Sequence, residues 1–235
     1  MAMALLALST AGTAAPKLTL TTEHMPPYNI VSGDLHEVTG TAADRVKEVM
    51  RRADIDYVIV PSGWNRAIKL AQTQPGTCVF STGRIPEREK LFKWVIPVAE
   101  TSRAIYTRYA FPTPVTRLED LKDQPISVYR NDANSVYLKA HGYHVSESES
   151  FEDSLTALLA GRVDYWASDR TGANGLLNRK FAHDKVHLLL SFGQVELYLA
   201  CNPEVNDTLV ARIRAAYRKM EQDGSLQHID ARYGQ

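Results

Sequence analysis

Few residues of this chain have the types and spacings that chemistry demands. Two histidine pairs, His141-Gly-Tyr-His144 and His183-Asp-Lys-Val-His187, have a spacing a metal could use, but neither is joined by a third His, Cys or acidic ligand in a recognised pattern. They read as solvated or structural histidines, and no metal is expected. Phosphate loops, dinucleotide fingerprints, the Gly-x-Ser-x-Gly elbow and His-Glu-x-x-His are all missing, so no cofactor is expected either. Asn206-Asp-Thr208 matches a glycosylation acceptor that carries no weight in a bacterial type of protein. Two cysteines, Cys78 and Cys201, form at most one bridge. What remains is a loop with two arginines, Arg84 and Arg88. Each guanidinium is a planar fork suited to a carboxylate, and Arg88 could equally be a surface partner of Glu87 or Glu89 on a short helix.

The whole chain bounds what these groups can act on. It has 235 residues, 27 Lys+Arg against 27 Asp+Glu, and 44% hydrophobic residues in short runs. A formal net charge of zero offers no field toward nucleic acid or an anionic membrane. The length suits one large domain or two small ones, with enough burial for a folded monomer. Residues 1–15 are small and apolar, with Ala14 and Ala15 where a signal peptidase would cut and no basic segment before them. They read as the remnant of an export signal, outside the fold.

From Lys17 onward two successive β-α-β-α-β passes are expected. The first uses strands at Leu18–Leu20, Tyr57–Val60 and Cys78–Ser81, with helices through Ala42–Ala53 and Trp64–Ala71. The second uses strands at Ile126–Tyr129, Tyr143–Val145 and Val163–Ala167, with helices over Asn134–His141 and Phe151–Leu159. Two α/β lobes are expected in place of one long sheet, with Pro97–Arg108 as the first crossing and Glu196–Ala200 as the return. A helix bearing Leu209, Ile213, Tyr217 and Met220 then completes the first lobe. The boundaries are residues 16–100 with 197–235 for lobe 1, and 101–196 for lobe 2. Ligands of open α/β sheets sit beyond the strand ends, so the crevice between lobes is the candidate site.

Several pieces occur together and in order: Met25-Pro-Pro-Tyr28, Trp64-Asn-Arg-Ala67, Ser81-Thr-Gly-Arg-Ile-Pro-Glu-Arg88, Phe92-Lys-Trp94 with Pro97, Leu118-Glu-Asp-Leu121, Gly161-Arg-Val-Asp164 and Asp169. The set resembles the bacterial extracellular solute-binding proteins of family 3, amino-acid-type periplasmic receptors of ABC importers. The resemblance implies the type II periplasmic-binding-protein fold, two α/β lobes on a two-segment hinge, and a periplasmic protein that hands a small polar ligand to an ABC permease in the inner membrane. It implies that Arg88, with Arg84 as its competitor, grips a ligand carboxylate. Ser81 and Thr82 complete that cage, Asp169 takes the ammonium, and Tyr28 and Trp64 offer aromatic faces. Asp169 also precedes a helix, where an N-cap alone explains it.

Arg130-Asn-Asp-Ala-Asn134 departs from the small polar turn of that family. Asn131 could supply an amide, while Asp132 would repel a ligand carboxylate unless Arg130 neutralises it. In the two-lobe topology the returning strand runs antiparallel beside the third strand, which brings Cys201 to Cys78 for a disulfide. The rivals are an enzyme on the same scaffold, similar to periplasmic cyclohexadienyl dehydratases, with Asp169 or Glu23 as acid and Arg84, Arg130 and Arg170 as extra cations, and a ligand-sensing receptor.

Overall fold

A computed structural model describes residues 17–33, 37–108 and 115–234. The expected export segment, residues 1–15, lies outside the described residues. Ten strands are present: β1 Leu18–Thr22, β2 Ile30–Val31, β3 Val38–Thr39, β4 Tyr57–Pro61, β5 Thr77–Gly83, β6 Lys93–Arg108, β7 Ile126–Tyr129, β8 Val145–Ser148, β9 Tyr165–Asp169 and β10 Val186–Cys201. The seven α-helices are α1 Thr41–Arg52, α2 Trp64–Thr73, α3 Ala133–Ala140, α4 Phe151–Leu159, α5 Arg170–Lys180, α6 Asp207–Gln222 and α7 Ser225–Ala231.

The helices form where apolar residues recur on one face. In α1, Ala42, Val46, Val49 and Met50 are buried at helical spacing, and in α6 Leu209, Ile213, Tyr217 and Met220 are likewise inward. Both helices pack into one core with Leu20, Phe80 and Leu199, so the C-terminal tail returns to the first half of the chain. The second half has cores of its own, one around Trp166, Leu155 and Leu176, another around Val128, Leu138 and Ala167.

The two expected α/β lobes are present, but their sheets are joined and not separate. The strands form one eight-stranded sheet in the order β4-β1-β5-β10-β6-β9-β7-β8. Its two flanks are parallel three-stranded sets, β4-β1-β5 and β9-β7-β8. The middle is the antiparallel pair β6 and β10, each 16 residues long. They are registered from Lys93 opposite Cys201 to Arg108 opposite Val186. β5 reaches only one end of β10, at Leu197–Cys201, and β9 pairs with β6 only from Arg103 to Tyr106. Two α/β halves therefore share one central ribbon, and Glu100 lies opposite Glu196 where the ribbon passes between them. This agrees with the expected fold of two α/β lobes on a two-segment hinge.

Smaller differences have local causes. The strand expected at Tyr143–Val145 begins only at Val145, because Gly142 and Tyr143 close the end of α3: the Tyr143 N–H donates to the Leu138 carbonyl and Gly142 takes φ 76°. The returning strand runs from Val186 instead of Glu196 because its early half pairs with β6 despite having several exposed side chains.

Cys78 and Cys201 face each other in the β5–β10 register, are fully buried, and are joined by a disulfide. Their sequence separation is 123. On the chain-entropy model, closing a loop of that length stabilises the fold by about 4 to 5 kcal/mol. Reduction, or Cys78→Ser with Cys201→Ser, should lower the unfolding free energy measured in urea by a few kcal/mol. An unchanged midpoint under reductant would remove the bridge from the stability of this fold.

Candidate functional site

A cavity of about 60 Å³ lies between the halves, and β5, the β7–α3 turn, β9 and the central ribbon all reach it. Arg88 enters from the first half. It sits in a 3₁₀ turn, Pro86–Leu91, that follows β5, and its side chain is 3% exposed. Its Nη1 donates to the Gly83 carbonyl at 3.2 Å, and its Nη2 crosses to the Asn131 carbonyl of the second half at 2.6 Å. The guanidinium lies 5.3 Å from the centre of the Trp64 ring. Trp64 opens α2 and donates from Nε1 to the same Asn131 carbonyl at 2.7 Å. Asn131 can gather both donors because it takes φ 58°, a left-handed conformation that Asn tolerates better than most residues.

Two carboxylates of the second half line the cavity from helix starts. Asp132 caps α3, accepting from the Ser135 N–H at 2.6 Å. Asp169 caps α5, accepting from the Gly172 N–H at 2.8 Å and from Thr101 Oγ1 at 3.0 Å. A Cβ on Gly172 would stand 2.5 Å from an Asp169 oxygen, so this close approach requires glycine. Glu23, just past β1, is the third carboxyl in the lining, and Arg103 on β6 the second guanidinium.

Burial sets the charge states. It pushes the Glu23 carboxyl up to about 8, helped by the negative charges of Asp132, Glu152 and Asp169 and opposed by a hydrogen bond with Tyr129. Asp132 is pushed up to about 6 by burial, against the Ser135 N–H, Asn134 and Arg88. Asp169 is raised by burial, and its hydrogen-bond donors hold it back. Burial brings Arg88 down to about 10 and also lowers Arg103. The site therefore sets two cations against three carboxyls, one of which keeps its proton near neutrality.

Of the residues singled out from sequence, Trp64, Ser81, Arg88 and Asp169 line this cavity, and Asn131 closes over it with its carbonyl while its amide donates to Asn65. Ser81 takes φ 60° and donates to Asn29. The others lie elsewhere. Tyr28 is held in the core of the first half, because its carbonyl caps the start of α1 and its hydroxyl reaches the Glu100 carbonyl. Thr82 alternates away from Ser81 and Gly83 along β5, and its hydroxyl is turned to the Val79 carbonyl. Arg84 forms a two-bond pair with Glu89 and lies against the Trp94 and Tyr198 rings. Arg130 pairs with Glu149 and Glu147 of the neighbouring segment and leaves Asp132 to its helix. Arg103 and Thr101 also line the cavity without a sequence signal, because they lie in a strand whose period marks burial but not a cleft; Asn134 lines it from the end of the Arg130–Asn134 segment.

Residues 18–235 match the family described as bacterial extracellular solute-binding proteins, family 3. The chain belongs to this family. As a member it is a ligand-binding protein, and among the described residues no helix is long and apolar enough to cross a membrane. Comparison with curated proteins finds no match. Among solved structures, a histidine kinase sensor domain with similarity to periplasmic binding proteins superimposes with a TM-score of 0.84 at 16% identity, over 93% of this chain and 96% of that one. The arginine-, lysine-, histidine-binding protein ArtJ from Geobacillus stearothermophilus gives 0.79 at 20% identity, over 93% and 96%. An ancestral arginine-binding protein bound to glutamine gives 0.79 at 21%, over 94% and 98%. At these identities the likeness is one of fold.

The raised carboxyl predicts how stability depends on pH. Below about 4.5, the ordinary value for Glu, both folded and unfolded chains hold the Glu23 proton; between there and about 8 only the folded chain does. Its contribution is therefore complete in acid and lost as pH rises through that window. The melting temperature of this solute-binding protein should decline from pH 5 to 8 more steeply than that of Glu23→Gln. Parallel curves would show that Glu23 titrates normally.

Proposed function

We propose that this protein is a periplasmic receptor that captures a small polar ligand of the amino-acid type by closing its two halves and delivers it to an ABC permease. The observation that carries this reading is the pairing of opposite charges across one cavity: Arg88 from the first half and Asp169 from the second both line it. A zwitterion suits such a site. Its carboxylate matches the planar fork of Arg88, and its ammonium matches Asp169, whose remaining oxygen capacity is not used up by Gly172 and Thr101.

Closure follows from the same arrangement. The hinge is the stretch of β6 and β10 around Glu100 and Glu196, with residues 16–100 and 197–235 on one side and 101–196 on the other. A cavity of about 60 Å³, shut by Arg88 and Trp64 on the Asn131 carbonyl, admits an amino acid only when the halves part. A ligand that touches both sides binds the closed form better than the open one, and that difference in affinity shifts the population toward closure. Thr101 supports the link, since it belongs to the hinge strand and donates directly to Asp169.

A second reading rests on Glu23. A carboxyl that keeps its proton near neutrality inside a cleft is poised as a general acid, as an elimination of water from a prephenate-like acid would need. Incubation with prephenate separates the two: formation of an aromatic product establishes the enzyme, and unchanged prephenate leaves binding alone.

For the receptor reading, calorimetry over the amino acids should identify a ligand of the wild-type protein. Arg88→Ala should weaken it by roughly 100-fold, as expected for removing one partner of a buried charge pair. Asp169→Asn should also weaken it. Equal affinity in Arg88→Ala would take Arg88 out of the site, and the absence of any amino-acid ligand would overturn the ligand class.

A further inference from the structure

Arg103 is the cation of the cleft that the preceding reading leaves without a task. It lies on β6 opposite Asp169 of β9, on the second half's side of the hinge, and it lines the same cavity as Arg88. Its side chain is only 8% exposed, and its Nε is buried without a hydrogen-bond acceptor among the described residues. Asp132 is held by the Ser135 N–H and Asn134, and Asp169 by the Gly172 N–H and Thr101; the negative charges of Glu87 and Asp132 favour the Arg103 cation without supplying its Nε with an acceptor. Burying a guanidinium without an acceptor is costly, and such a group is normally paired.

The surrounding structure holds Arg103 in place, while its Nε meets no acceptor among the described residues. Its guanidinium carbon is 4.4 Å from the centre of the Tyr137 ring, a stacking contact that orients the plane and leaves its edge donors free. Opposite Arg103 the β6–β10 register slips, from Ser191 paired with Ala104 to Gln194 paired with Ser102, so that Phe192 and Gly193 form a bulge. Gly193 takes φ 127°, and a Cβ there would stand 3.3 Å from Arg103 Nη1. The bulge with its glycine makes room for the guanidinium at the cavity wall. Arg88 and Arg103 thus bring like charges from opposite halves to one small space, and the charge of Arg103 adds to what lowers Arg88.

We propose that Arg103 is the second jaw of an anion clamp, in which it and Arg88 share the carboxylate of the bound ligand across the cleft. The proposal rests on the cleft being the ligand site and adds which group the ligand must carry and which unassigned residue reads it. A carboxylate between the two guanidinium groups turns their repulsion into attraction between the halves. The anion then becomes the part of the ligand that drives closure.

The test compares amino acids with their primary amides and with simple carboxylates such as acetate and succinate, by calorimetry and thermal shift on the full chain. Arg103→Gln should weaken an amino acid by roughly 10- to 100-fold while changing its amide little, so the preference for acid over amide collapses. Equal losses for acid and amide, or no loss, would overturn the clamp, because a purely structural Arg103 lowers both alike. If Arg103→Gln does not melt cooperatively, Arg103→Lys replaces it. That variant keeps the charge without the fork, and the acid-to-amide preference should fall partway; an unchanged preference overturns the clamp. If the wild type binds no amino acid yet is stabilised by simple carboxylates through Arg103, the clamp stands and the amino-acid reading falls. If no carboxylate of either kind stabilises the wild type, the clamp falls with it.

Discussion

The antiparallel pairing of β6 with β10 is the constraint on which the rest of the molecule depends. Each parallel set of three strands presents the C-terminal ends of its strands toward the middle, where loops and helix starts carry polar groups. Alone, each set would be a small α/β layer with one such edge. The shared ribbon turns the two edges toward each other and passes its own midpoint through the gap. Thr101, Arg103, Val195 and Leu197 therefore belong both to the strands that join the halves and to the cavity wall. On the proposed receptor reading, a bend of the ribbon moves the halves and the cavity groups together, so motion and recognition share the same residues.

The second governing effect is desolvation. Two guanidinium groups and three carboxyls line a space of about 60 Å³, and burial is the first cause of every shift among them. Helix starts stabilise two of the carboxylates: Asp132 and Asp169 each accept a backbone N–H that would otherwise lack a partner. Glu23 is not a helix cap, and burial pushes its carboxyl up to about 8. Capping and ligand binding are compatible roles for one carboxylate, because an N-cap uses part of its acceptor capacity and leaves the rest.

Much of the site was legible where a residue's role depends on its local segment. Asp169 follows a strand and starts a helix, so both its cap and its place at a strand end could be read from spacing. Arg88 follows β5 in a Pro-led turn, and Ser81 lies near the end of that buried strand. Arg84 and Arg130 show the limit of such reading. They are guanidinium groups in the right loops, but each finds a carboxylate partner on its own half, Glu89 in one case and Glu149 in the other, and neither lines the cleft. The family resemblance implies an aromatic face from Tyr28, but its carbonyl is tied to the start of α1 and the ring goes inward.

The repeated β-α-β-α-β order, the amphipathic faces of α1 and α6, the helix caps and the family follow from the residues alone, because each depends on neighbours within a few residues or on an ordered set of motifs. That the two lobes share one sheet, which arginines face the cleft, and that Arg103 lines it with Arg88 emerge once the strands are paired. A strand's alternation records which side chains are inside, but burial against a core and burial against a cavity leave the same pattern. Separating them takes the register of β6 on β10 and the bulge at Gly193, and both are set by strands that meet from opposite ends of the chain.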